Sequence, residues 1–244
     1  MTVRSGSTAA KRRSCNGLTG IHMKLLLTSG GIANPSIEHA LVDLLGKPIA
    51  EANALCIPTA SYGHPWCTPS NAYRFITGQS PARMCDLGWK SLGVLELTAL
   101  PSLGKARWEP WVRAADALLA DGGDALYLAY WLRESGLSAL LTKLPELVWV
   151  GLSAGSMVMT PRIGPEFVGW KPPSGGDETL GVVNFSIYPH LDNKDLPDNT
   201  LANAKKWAAG LNAPAYAIDD QTAIKVVAGA AEVISEGKWQ LFTP

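Results

Sequence analysis

Residues 148–157 read VWVGLSAGSM, a short apolar run that leads into a serine flanked by two glycines. The run Val148-Trp149-Val150 predicts a buried strand, and the residues after Gly155 permit a helix. A G-x-S-x-G pattern between a strand and a helix is typical of a sharp turn that presents a serine hydroxyl at the carboxyl edge of a sheet. Ser153 is therefore the candidate nucleophile, and a tight structural turn is the alternative interpretation.

Other apolar runs of strand length precede this one, and segments with helical periodicity separate them. They lie at 25–28, 54–57, 94–97 and 117–120. Asn34 and Pro35 predict the start of the first helix, and Gly46 predicts its end. Continuous apolar strands that alternate with helices favour an α/β fold, a three-layer sandwich with a mostly parallel sheet covered on both faces.

The pattern changes after about residue 181. Further candidate strands lie at 182–188, 216–218, 224–227, 232–235 and 239–242. Turns at Gly229 and Gly237 predict that some strands at the C-terminal end are antiparallel. We expect residues 23–244 to form a single α/β domain, and residues 66–81, rich in Pro, Ser, Thr and Asn, to form a long loop.

The composition limits the class of protein. Residues 1–22 contain four basic residues and no acid; they are predicted to be a disordered leader, with a targeting or docking arm as the alternative. The whole chain has 21 basic and 21 acidic residues, so it lacks the basic excess of a nucleic-acid-binding protein. No apolar run is long enough for a transmembrane helix, so no membrane partner is expected.

The cysteines and the absent motifs point to a cytoplasmic protein without a cofactor. Cys15, Cys56, Cys67 and Cys85 show no CxxC spacing, which favours a reduced, cytoplasmic setting. Neither a P-loop, a dinucleotide-binding glycine motif nor an H-E-x-x-H motif occurs, so neither a nucleotide nor zinc is indicated. We expect no metal or organic cofactor, and a monomer or homodimer.

A serine nucleophile needs a base and an orienting acid. His190 is the only histidine after Ser153 and follows the apolar run 187–189, at a predicted strand end where catalytic groups of α/β sheets gather. It is the candidate general base, with a structural histidine as the alternative. Asp219 and Asp220 follow another predicted strand; Asp220 is the candidate acid, although Asp219 remains open and a turn aspartate is the alternative.

The segment Asp121-Gly122-Gly123-Asp124 joins a predicted strand to a predicted helix. Its glycines expose backbone N–H groups, so Gly122, Gly123 and the Ala154 N–H form a candidate oxyanion hole, and a simple strand–helix turn is the alternative. The chain order serine, histidine, acid differs from the serine, acid, histidine order of α/β-hydrolases, which disfavours that fold.

Taken in order, these segments resemble the peptidase E and cyanophycinase family of serine peptidases, from about Met23 to Gln240. The similar segments are 25–31, 56–60, 121–124, 151–156, 188–190 and 218–220. The resemblance implies a class I glutamine-amidotransferase-like (flavodoxin-like) fold that carries serine in place of cysteine. It also implies a serine peptidase with a small peptide as its substrate, which hydrolyses peptide bonds after aspartate, often an N-terminal Asp in a dipeptide.

Two positions depart from the family pattern. Asp121 stands where a third glycine is common, and Asp220 stands where peptidase E usually has glutamate. Arg162 is the candidate reader of a substrate carboxylate, by its proximity in sequence to the serine turn. The rival functions are an esterase or amidase on a non-peptide acyl substrate, a catalytically silent ligand-binding relative, and a protein-interaction module that uses the leader.

Overall fold

A computed structural model describes residues 23–244, and the predicted leader at 1–22 lies outside the described residues. The described chain folds into two sheets with helices packed against them. The strands are β1 (Lys24–Thr28), β2 (Asn53–Ile57), β3 (Ser91–Val94), β4 (Ala117–Ala120), β5 (Val148–Leu152), β6 (Ser186–Tyr188), β7 (Ala215–Ile218), β8 (Thr222–Val227), β9 (Ala230–Ser235) and β10 (Trp239–Phe242). The helices are α1 (Pro35–Leu45), α2 (Thr59–Gly63), α3 (Pro69–Ile76), α4 (Lys105–Arg113), α5 (Ala125–Glu134), α6 (Leu137–Leu141), α7 (Ala154–Met157) and α8 (Leu201–Leu211).

The main sheet has seven strands in the order β3-β2-β4-β5-β1-β8-β9. The first five are parallel, whereas β8 pairs antiparallel with both β1 and β9. A second sheet, β10-β7-β6, joins β6 and β7 in parallel and adds β10 antiparallel. The mostly parallel sheet with antiparallel C-terminal strands is thus confirmed. Because β5 lies between β4 and β1, the carboxyl ends of these three strands meet at one edge.

The strands of the main sheet are apolar throughout because both faces are covered. Leu25 and Leu27 face one buried cluster, which includes residues of α5, and Leu26 between them faces the other, which includes residues of α1. This alternation is what a three-layer sandwich requires. A third cluster packs α8 against the second sheet through Trp207 and Ala217.

The first helix has the predicted ends. Asn34 Oδ1 accepts a hydrogen bond from the Ile37 N–H at 3.0 Å, and Pro35 occupies the first turn. Gly46 ends the helix with φ 68°, in the left-handed region that glycine favours. Here local sequence signals and tertiary packing agree.

Three local predictions were wrong. The strand predicted at 94–97 lies at Ser91–Val94, and a 3-10 helix begins at Leu97. The predicted loop at 66–81 contains α3, because Thr68 and Asn71 form a capping box and Phe75 is buried in the core. Only Ser186–Tyr188 of the run 182–188 is a strand.

Among residues 23–244, none of the helices has both the length and the apolar character needed to span a bilayer.

Candidate active site

Ser153 lies on a strained turn between β5 and α7, with φ 50° and ψ −108°. The glycines on either side permit this turn. A Cβ on Gly151 would lie 2.4 Å from the Gly155 carbonyl oxygen, and one on Gly155 would lie 2.3 Å from the Ala120 carbonyl oxygen. Gly151 is therefore required by the close approach of the turn's own backbone, and Gly155 by the packing of the turn against β4.

Gly155→Ala is expected to destabilise the fold by about 1–3 kcal/mol, because the added methyl meets a backbone carbonyl that cannot rotate away. Gly210→Ala is the matched control: it lies in α8, where an added Cβ would have no neighbour within 4 Å, so it should stabilise the helix by about 0.5–1 kcal/mol. Urea unfolding midpoints of both variants measure the difference. A Gly155→Ala midpoint equal to that of the control would contradict the packing argument.

The three predicted catalytic side chains meet where the carboxyl end of β5 in the main sheet lies near the carboxyl ends of β6 and β7 in the second sheet. Ser153 Oγ lies 2.9 Å from His190 Nε2, and His190 Nδ1 lies 2.6 Å from Asp220 Oδ1. His190 follows β6 with φ 58°, and Asp220 follows β7. Although aspartate is one methylene shorter than glutamate, the carboxylate of Asp220 reaches the imidazole directly.

The charge on Asp220 fixes the direction of these hydrogen bonds. Burial would raise the pKa of this carboxyl, but hydrogen bonds from His190, Ser29 and Asn193, together with the charge of His190, lower the pKa to about 2. The ionised carboxylate can only accept, so Nδ1 of His190 carries the proton. Nε2 is then the acceptor for the Ser153 hydroxyl, as a general base must be.

Two supporting residues were missed from the sequence. Ser29 Oγ donates to Asp220 Oδ1 at 2.8 Å and accepts a hydrogen bond from the backbone N–H of His190 at 2.7 Å. Asn193 Nδ2 donates to Asp220 Oδ2 at 2.6 Å. Ser29 follows β1 directly, so its place at the end of a central parallel strand was an available signal. Asn193 lies in a loop and belongs to no motif.

Asp219, the alternative acid, has a different set of partners. Its Oδ1 accepts from Thr222 Oγ1 at 2.7 Å, and its Oδ2 accepts from the Lys238 N–H at 2.6 Å. These bonds tie the β7–β8 turn to the segment before β10. The geometry therefore pairs His190 with Asp220 and leaves Asp219 as a turn residue.

The candidate oxyanion segment lies beside the serine, since a Cβ on Gly122 would be 3.6 Å from Ser153 Cβ. The Gly122 N–H donates to Asp121 Oδ1 at 2.8 Å and is thereby engaged. Within residues 23–244, the N–H groups of Gly123 and Ala154 donate to no protein acceptor. Gly123 and Ala154 are thus the available donors, and Gly122 is the linker that places them.

Asp124 connects this segment to Trp170. Its Oδ1 caps α5 by accepting the Tyr127 N–H at 2.8 Å, and its Oδ2 accepts the Trp170 N–H at 2.6 Å. The Trp170 ring packs against Tyr127 and Tyr130, with centroid distances of 5.4 and 5.3 Å. An aromatic cluster therefore borders the oxyanion segment.

Arg162 is engaged elsewhere in this structure. Its Nε donates to Asp177 Oδ1 at 2.9 Å, and the Arg162 side chain is 45% exposed while that of Asp177 is 9% exposed. In the described part of the chain, Arg162 makes no hydrogen bond to Ser153, His190 or Asp220 through its side chain. Its role as a carboxylate reader stays a prediction.

A parallel α/β sheet that presents a strained serine to an imidazole and a carboxylate defines the class of serine-type hydrolases. The sequence matches the profile of Peptidase family S51 over residues 25–234. The chain belongs to this family and is a serine-type peptidase.

Two solved structures are similar to this chain. One is a candidate peptidase E protein from Listeria monocytogenes EGD-e, with a TM-score of 0.59 and 18% identity over 88% of this chain and 99% of that one. The other is a peptidase from an acI-B1 Actinobacterium, with a TM-score of 0.62 and 21% identity over 91% of this chain and 96% of that one. At such identities the likeness concerns the fold. A search of curated proteins finds no match.

Proposed function

We propose that this serine peptidase hydrolyses small peptides, foremost dipeptides with an N-terminal aspartate, through Ser153, His190 and Asp220. The observation that carries the proposal is the unbroken line of hydrogen bonds from hydroxyl to imidazole to carboxylate, with distances of 2.9 and 2.6 Å. Its components come from the ends of three different strands, so the fold itself creates the line.

In the acylation step, Ser153 Oγ attacks the scissile carbonyl carbon while His190 Nε2 takes the hydroxyl proton. The carbonyl oxygen becomes an oxyanion, and the Gly123 and Ala154 N–H groups are the donors that stabilise it. Collapse of the tetrahedral intermediate breaks the C–N bond, and the imidazolium passes its proton to the leaving amine. Asp220 stabilises the imidazolium and keeps Nδ1–H directed at itself.

Deacylation repeats the sequence with water as the nucleophile. His190 Nε2 removes a proton from the water, the same N–H pair binds the second oxyanion, and Ser153 recovers its proton when the acyl group leaves as a carboxylic acid. Every proton is carried by His190, so the step needs no group beyond those described.

The preference for aspartate is the finer part of the proposal and has its support in the peptidase E-like motifs of the chain. Arg162 is the proposed reader of the aspartate carboxylate. To serve, its guanidinium must either donate to the substrate carboxylate and to Asp177 at the same time or exchange Asp177 for the substrate. Arg162→Gln is therefore expected to raise KM for Asp-Xaa about tenfold or more, with a smaller effect on Ala-Xaa.

A panel of Asp-Xaa, Ala-Xaa and Phe-Xaa dipeptides with p-nitrophenyl esters tests the substrate class. Arg113→Gln is the matched control for Arg162→Gln, because Arg113 is also a half-exposed arginine and forms an ion pair with Glu109. Preferential cleavage of Asp-Xaa supports the proposal. Equal cleavage of all dipeptides would contradict the aspartate preference, and turnover of the esters alone would favour an esterase.

A further inference from the structure

Asp121 is a buried carboxyl group that the catalytic steps above do not use. It follows β4, is 7% exposed, and stands in the segment that carries the candidate oxyanion donors. Its Oδ2 accepts from Ser61 Oγ at 2.7 Å and its Oδ1 accepts the Gly122 N–H at 2.8 Å. One side chain thus ties the oxyanion segment to α2.

The carboxyl group has only neutral hydrogen-bond donors. Burial raises its pKa to about 7, although the bonds from Ser61 and Gly122 oppose the shift. Within residues 23–244 no lysine or arginine forms an ion pair with it. Its protonation therefore changes the net charge beside Ser153 in the pH range where a serine peptidase works.

The tyrosine and the cysteines that face Asp121 do not compete with it near neutrality. Burial, then the charge of Glu96, and in smaller part that of Asp121 raise the pKa of Tyr62 on α2. Burial, and in smaller part the charge of Asp121, raises the pKa of Cys67 in the following loop. Contact with Cys56, then burial, and in smaller part Asp121 raise the pKa of Cys85. These side chains stay neutral where Asp121 titrates. Along the oxyanion segment itself, Asp124 is the other acid, and burial raises its pKa too.

We propose that Asp121 is a positioning residue that aims the Gly123 N–H at the oxyanion, and that its neutral form supports catalysis better than its carboxylate. This inference rests on the proposed function of Ser153. In the neutral form, one oxygen still accepts the Gly122 N–H and the O–H donates to Ser61 Oγ, so the segment keeps its place. In the ionised form the contacts remain, but a negative charge one residue from Gly123 opposes the negative charge that develops on the substrate oxygen.

The consequence is a loss of activity on the alkaline side of the pH profile. This alkaline limb reports the ionisation of Asp121, and activity should be about tenfold below its plateau one pH unit above the pKa of Asp121. Asp220, with its pKa of about 2, is ionised throughout this range and does not contribute to the limb.

Asp121→Asn tests the inference, because the amide oxygen can accept the Gly122 N–H and the amide NH₂ can donate to Ser61 without any charge. The readout is the rate of labelling by a fluorophosphonate, and kcat/KM where a substrate is in hand, from pH 5 to pH 9. The variant should lose the alkaline limb and stay within about twofold of its plateau up to pH 9. Asp116→Asn is the matched control: Asp116 lies at the opposite end of β4, paired with Lys47, and its replacement should leave the alkaline limb in place.

Ser61→Ala provides an independent arm if Asp121→Asn fails to fold. Loss of the Ser61 donor destabilises the carboxylate and raises the pKa of Asp121, so the alkaline limb should move to higher pH. An alkaline limb that persists in Asp121→Asn, or one that does not move upward in Ser61→Ala, overturns the inference. Wild-type protein that labels well but shows no alkaline limb also overturns it, whereas protein that does not label at Ser153 overturns the proposed function and this inference with it.

Discussion

Ser153→Ala is expected to lower kcat by about 10⁴–10⁶-fold for any peptide that the wild-type protein hydrolyses. The reason is that no acyl-enzyme can form without the hydroxyl, and the remaining groups can only polarise the substrate. KM should change far less, because the removed oxygen contributes little to ground-state binding. Steady-state kinetics with the best dipeptide of the panel measures both constants.

Ser102→Ala is the control for this substitution. The Ser102 hydroxyl is exposed and donates to the Ala99 carbonyl at 2.7 Å. Ser102 belongs to none of the segments that form the candidate site. Its kcat should match the wild type. Circular dichroism of the Ser153→Ala variant should be unchanged, since the turn depends on its glycines. A kcat within tenfold of the wild type would contradict the assignment of the nucleophile.

Asp220→Asn is expected to lower kcat by about 10⁴-fold. An asparagine can donate its NH₂ to Nδ1, which favours the tautomer with the proton on Nε2, and that nitrogen can then no longer accept from Ser153. Because the pKa of Asp220 is about 2, the carboxylate is ionised throughout the working range of pH. The carboxylate therefore does not titrate in that range.

Asp219→Asn is the matched control, an identical change at the neighbouring residue. The Asp219 carboxylate accepts from Thr222 and the Lys238 N–H, so its loss weakens the β7–β8 turn and should lower the unfolding midpoint. We expect kcat to stay within about tenfold of the wild type. If Asp219→Asn lost more activity than Asp220→Asn, the pairing of His190 with Asp220 would be wrong.

The parts of the fold that could be predicted are those where local pattern and burial coincide. Residues 117–120 and 148–150 are apolar because their strands are buried on both faces. Each strand therefore appears in the sequence as a continuous apolar run. The sequence does not predict the helix α3, because Pro69 and the polar residues around it have a composition typical of loops. Its signals were the Thr68–Asn71 box and Pro69 in the first turn.

The candidate site was predictable where a residue follows a strand and carries recognised chemistry. Ser153, His190 and Asp220 each meet that condition. Ser29 also follows a strand, but a serine with no motif around it has no chemical signature until its partners are known. The choice between Asp219 and Asp220 needed coordinates, because adjacent side chains point in different directions at the end of a strand.

The roles proposed for the strained turn, the imidazole of His190 and the buried acid Asp121 all require that Ser153 forms a covalent bond with its substrate. Mass spectrometry of peptides from fluorophosphonate-treated protein tests this most directly, with His190→Ala treated in parallel. We expect a single adduct on Ser153 in the wild type and strongly reduced modification in His190→Ala. An adduct on another residue, or none on Ser153 in protein that hydrolyses peptides, would contradict it.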